Sequence, residues 1–177
     1  MESKSVFLAA GALAVAAVAV GAAPGANSFV QAAETGYVQL ADAAQMAAVK
    51  ERQELMKSIG GNTKTVADFL KESKGTAAEA QAAAAKIGEL AMTIPAAFET
   101  EATLAEMDAV GKNRGKPEIW MDWDGFTAKA KHLEERSAAL VAAFEGGDAA
   151  DIQAAFGEMG KNGCGGCHED FRGPQVD

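Results

Sequence analysis

Apolar side chains return every three or four positions along most of this chain, the spacing that brings them onto one face of an α-helix. The clearest register is Ile119, Trp123, Phe126, Ala130, Leu133, Ser137, Leu140 and Phe144, which alternates steps of four and three and predicts a helix (C) with a heptad seam. Gly146 and Gly147 follow and predict its end. Helix A is predicted over 38–72, with Met46, Val49, Gln53 and Met56 on one stripe and Val66, Phe69 and Leu70 extending it. Gly60 and Gly61 are expected to bend or break it. Helix B is predicted after Thr76, an N-cap with Glu79 in the capping-box position, and carries Ala83, Ile87, Leu90, Ile94 and Phe98 on its stripe. Pro95 predicts a kink or an end near Thr93. A polar connection over 111–117 leads into helix C, and Asp148, with Asp151 three residues on, caps a helix D bearing Ile152, Phe156 and Met159. The chain is poor in β-branched runs, so the expected class is all-α. Short connections between long amphipathic helices predict an antiparallel up-down-up-down four-helix bundle, with the left-handed crossing of about +20° that such seams favour.

The N-terminus breaks this pattern. Residues 6–20 are apolar or small throughout, with Lys4 before them and Gly, Pro and Ala-rich sequence after. The run is shorter than the ~20 residues a bilayer requires and has no polar face, so it reads as a secretory signal peptide, an uncleaved anchor being the alternative. Val30-Gln31-Ala32 offers small residues for cleavage, giving residues 1–32 as signal peptide and 33–177 as a single domain. Cleavage there removes Glu2 and Lys4 together, so the formal net charge stays at −9. That acidity argues against nucleic acid and anionic membrane surfaces as partners.

The chemistry concentrates at the other end, in Cys164-Gly165-Gly166-Cys167-His168. Cys-x-x-Cys-His is the attachment site of a c-type haem: both thiols can add to the haem vinyl groups while the adjacent imidazole reaches the iron. A thioredoxin-like motif would sit in a βαβ pattern, which is absent. A zinc site needs four ligands, and the chain has two Cys and two His, with His132 far upstream. A local disulfide would leave the adjacent His168 unexplained. The expected cofactor is one covalent haem c, with Cys164 and Cys167 as thioethers and His168 as proximal iron ligand. Export and haem attachment together point to the bacterial periplasm.

Four runs in order along the chain then carry a resemblance. Arg52-Gln53-Glu54-Leu55-Met56-Lys57 lies in helix A, Ile94-Pro95 in helix B, Lys116-Pro117-Glu118-Ile119-Trp120 opens helix C, and the haem motif continues as Glu169-Asp170-Phe171-Arg172. Over roughly 45–173 the chain resembles the class II cytochromes c, that is, the cytochrome c prime family with its low-spin relatives. It departs at Ala96 and Ala97, where some members place an aromatic residue near the haem. The resemblance implies that Arg52, and with it Gln53, meets a haem propionate, and that Met56 lies on the distal side, as sixth ligand in low-spin members. Arg52 and Met56, one turn apart, share a helix face about 6 Å apart along the axis. It also implies a homodimer through helices A and B, for which the Ala-rich stretch 80–85 would allow close approach. Trp120, Trp123 and Phe126 read as packing rather than electron relays. Arg172 reads equally as a proximal-face group or a helix-end charge, and His132 as solvent-facing.

Two functions follow. One is a periplasmic one-electron carrier cycling Fe(III)/Fe(II) with an unidentified redox partner. The alternative is a five-coordinate haem protein binding NO or CO as scavenger or sensor. No paired-carboxylate, nucleophile or second-cofactor motif suggests an enzyme.

Overall fold

The structure is a computed structural model that describes residues 26–102 and 113–174, with side chains from residue 43 onward. The apolar run of the expected signal peptide lies outside the described residues. The chain divides into two units, residues 1–38 and 39–177. The described part of the first is helical; the second holds everything that follows. No helix among the described residues is long and apolar enough to cross a membrane.

The helices are α1 (Ala26–Glu72), α2 (Ala77–Ala91), α3 (Ile94–Phe98), α4 (Glu118–Met121), α5 (Trp123–Gly146) and α6 (Ala149–Glu158). A π-helical segment, Met159–Gly165, and α7 (Gly166–Phe171) complete the described elements. Side-chain contacts fix their directions. Phe98 of α3 packs on Phe126 near the start of α5, with ring centroids 5.0 Å apart. Gly88, earlier in the chain, faces Ser137 further along α5, where an added Cβ would lie 3.4 Å from Ser137 Cβ. The α2–α3 arm therefore runs against α5. The guanidinium of Arg52 lies 4.7 Å from the Phe98 ring centroid, and Phe69 lies 6.0 Å from Phe144, so α1 runs with α5 and against α2–α3. In the C-terminal arm, Ser137 Oγ meets Met159 Sδ at 3.6 Å and Phe171 stands edge-on to Phe126 at 5.3 Å; it runs against α5. This is the antiparallel four-helix bundle that the periodicity predicts, closed by a core in which Val66, Ile87, Ile119, Leu140 and Met159 are buried.

Local chemistry explains the boundaries. Thr76 caps α2 through a reciprocal capping box with Glu79, worth about 1 kcal/mol. Pro95 occupies the first turn of α3, where its missing N–H leaves no helical bond unmade. Asp148 caps α6 by accepting from the Ala150 and Asp151 amides. Gly147 ends α5 in the left-handed region at φ 75° while its N–H bonds Ala143 O.

Four expectations are corrected or refined. Neither Gly60 nor Gly61 interrupts α1; buried Ile59 and Val66 on either side anchor the helix across them. Helix C divides, because Asp122 leaves helical geometry (φ −127°, ψ 63°) and its carboxylate caps α5 at the Gly125 amide, so Ile119 belongs to the separate α4. Helix D passes into the π-helical segment before the haem motif. The alanines of 80–85 are largely core rather than surface: Ala80, Ala83 and Ala84 are buried, and only Ala82 and Ala85 are exposed.

Candidate haem site

Between the arms of the bundle lies a cavity of about 530 Å³, within the range of sites that enclose a small ligand or cofactor. Arg52, Gln53 and Met56 line it from α1, and Cys164, Cys167 and His168 from the C-terminal arm. The fold thus brings together in one cavity all six residues singled out from the sequence. Arg172 also lines it. His132 does not: Arg136 Nε donates to its Nε2 at 3.1 Å on the flank of α5.

The π-helical segment presents the motif. Its bonding widens to five residues, as in the Gly166 N–H to Lys161 O bond, a departure from α-geometry that recurs at functional sites. Gly163 permits the approach of this segment to α5, since a Cβ there would meet Leu133 Cδ1 at 3.0 Å. Cys164 and Cys167 form no disulfide. Burial raises the Cys164 thiol above its ordinary pKa and raises Cys167 to about 11, against a smaller opposing effect of Lys129. Thiols protonated at neutral pH are poor thiol–disulfide reagents, which disfavours the redox-motif reading. Burial, with the charges of Arg172 and Arg114, holds His168 below its ordinary pKa. Its imidazole is neutral at pH 7 and keeps a lone pair for a metal.

Arg52 is 4% exposed. Its Nε donates to Ala97 O at 2.9 Å, its Nη2 to Thr100 O, and its guanidinium packs against the Phe98 and Trp120 rings. Its Nη1 is buried with no partner among the described residues. A buried N–H left unpaired is costly, and an anionic oxygen at the cavity edge would satisfy it. The charge around the cavity agrees: Arg52, Arg114, Lys129 and Arg172 line it, with no carboxylate among its described lining residues. An apolar cavity with two thiols, a neutral imidazole and a cationic margin in an acidic protein fits a flat apolar macrocycle bearing carboxylates at one edge.

Trp120 and Trp123 pack rather than line the cavity. Trp120 Nε1 donates to Phe98 O at 2.8 Å, and Trp123 lies 5.6 Å from Phe126. Thr63, Asn113, Arg114 and Lys129 are polar residues of the site that the sequence does not single out. Asn113 and Arg114 fall in the segment read only as a polar connection. That segment clasps the chain end beyond the motif: Gly115 bridges to Arg172, Gly173 N donates to Arg114 O at 2.7 Å, and Arg114 Nε donates to Gly173 O at 2.9 Å. Asn113 is held by donation to Ala102 O at 2.9 Å. Their one sequence signal is a run of three basic residues, Lys112, Arg114 and Lys116, in an acidic chain just before helix C.

Comparison with known proteins accords with this site. The family model described as Cytochrome C' matches residues 47–172. Cytochrome c' of Pararhodospirillum photometricum is 32% identical over 124 residues, covering 70% of this chain and 94% of the relative. Among solved structures, cytochrome c' from Rhodobacter spheriodes superposes with a TM-score of 0.63 at 27% identity, over 73% of this chain and 97% of that one. A nitric oxide complex of a variant of cytochrome c prime from Alcaligenes xylosoxidans superposes at 0.60 and 28% identity, over 72% and 94%.

Proposed function

The chain belongs to the cytochrome c' family and carries one covalently bound haem c, and from that premise we propose that it is a one-electron carrier of the bacterial periplasm. Cys164 and Cys167 would hold the haem through thioethers, His168 and Met56 would supply the iron ligands, and Arg52 with Gln53 would meet a propionate. When bound, the haem supplies the Fe(III)/Fe(II) couple. The chain's own residues do the rest. The neutral His168 imidazole offers its lone pair. The Arg52 guanidinium, already fixed by Ala97 O and packed against two rings, offers Nη1 to a carboxylate without reorganising. Phe126 and Leu133 exclude water from the cavity's inner wall. A largely apolar lining lowers the reorganisation that accompanies a change of charge, which suits electron transfer.

The observation that carries the reading is that Met56 lines the same cavity as both thiols and His168. A thioether opposite histidine raises the potential and suits electron transfer. The ferric protein is expected to show a low-spin spectrum with the weak long-wavelength sulfur-to-iron band, and the ferrous protein to resist carbon monoxide. Met56→Ala should convert it to a high-spin form that binds carbon monoxide. A high-spin wild-type spectrum unchanged by Met56→Ala would overturn the ligand assignment.

One observation favours a second reading. The solved relative from Alcaligenes xylosoxidans is a nitric oxide complex, and a Met56 that only covers the distal face would leave this chain able to bind NO or CO as scavenger or sensor. The same spectrum separates the two. Export rests on the N-terminal apolar run and the haem motif together. We also propose a homodimer through α1 and α2, for which exposed Ala82 and Ala85 leave a low surface; sedimentation at micromolar concentration should show a dimer, and monomer alone would count against it.

A further inference from the structure

The segment that carries His168 is too short to hold its own direction. The helix α7 has six residues, far below the ~12 at which an isolated helix becomes marginal in water, and it follows a π-helical stretch rich in glycine. Its orientation must come from ties to the rest of the bundle. Lys129 of α5 supplies two at once. Its Nζ lies 2.9 Å from Asp170 Oδ2 and donates to Gly166 O at 3.1 Å. Gly166 and Asp170 bracket Cys167 and His168. Asp170 is gripped a second time, since Lys116 Nζ donates to its carbonyl.

The geometry points to Lys129 as a positioning residue for His168: one cation on α5 spans both ends of the ligand-bearing segment and sets where the imidazole sits in the cavity. This rests on His168 being the proximal ligand. The ammonium is suited to the task because it presents three donors, enough for a carboxylate and a carbonyl together. The acidic partner sits where the tie is needed, so losing either member should loosen the same segment.

The test uses the full holoprotein and three variants, Lys129→Met, Lys129→Arg and Asp170→Asn. Amide hydrogen exchange over 164–171 should quicken about threefold to tenfold in Lys129→Met, the range expected for a partly exposed charged bond. Asp170→Asn should quicken it less, because the Gly166 bond survives, and Lys129→Arg should restore protection. The ferric EPR signal should broaden in both loosened variants. Lys129→Met and Asp170→Asn change the local charge in opposite senses, so an effect of field alone would move the midpoint potential in opposite directions with an unchanged EPR signal. That result, or unchanged exchange in both variants, overturns the proposal. If Lys129→Met fails to fold, Asp170→Asn alone decides the matter through the same two readouts. Failure of the underlying ligand assignment shows separately, as a ferric spectrum that His168→Ala leaves intact.

Discussion

Replacing Cys164 and Cys167 together with alanine is expected to abolish covalent haem attachment completely. These are the only two cysteines of the chain, so no other thiol can form a thioether. Both line the cavity with His168, which leaves the double variant able to hold haem only by iron ligation and packing. Acid-acetone extraction is the measurement: the pigment should stay with the wild-type protein and leave the double variant entirely. Each single variant retains one thiol and should keep part of its haem through the extraction. Covalent pigment in the double variant, or its loss from the wild type, would refute the assignment of the motif.

The second large effect is expected at Phe126. Its ring is 2% exposed and sits in contact with Phe98, Trp123 and Phe171, at centroid distances of 5.0, 5.6 and 5.3 Å. It therefore joins α3, α5 and α7 beside the cavity. Truncation of such a side chain loses both its transfer free energy and the contacts around the void, so Phe126→Ala should cost about 3–5 kcal/mol. In a domain of this size the midpoint of thermal unfolding should fall by roughly 10 °C. Met121 is the contrast. It is 81% exposed, and Met121→Ala should change stability by less than about 0.5 kcal/mol. Thermal unfolding of the two variants side by side checks the packing; equal effects would mean that the ring cluster is not where the bundle holds together.

The unpaired Nη1 of Arg52 links these energetics to function. Its other donors fasten α1 to the Ala97 carbonyl of α3 and to the Thr100 carbonyl just beyond it, so the guanidinium is a latch between arms, and under the proposed reading it also meets a carboxylate. A buried arginine held in this way is pre-organised, because little side-chain freedom remains to be lost when the anion binds.

Much of this was legible in the residues alone. The steps of three and four in Phe126, Ala130, Leu133, Ser137, Leu140 and Phe144 specify a buried stripe because helix geometry is local, and all six are buried. Caps at Thr76 and Asp148 were readable for the same reason: their bonds reach only two or three residues along the chain. Cys164, Cys167 and His168 announced their chemistry because the reacting groups are contiguous. The tertiary structure alone decided the rest. Whether Gly60 and Gly61 break α1 depends on what packs at Ile59 and Val66, and which of the alanines 80–85 face inward depends on where α5 lies; neither is written in the local sequence. Arg114 and Lys129 enter the site from segments 50 and 35 residues before Cys164, brought there by a clasp and a helix crossing that spacing does not encode. Local propensity fixes which elements form. Only the joint packing of distant elements, driven by burial that is indifferent to sequence separation, fixes which cations surround the cavity.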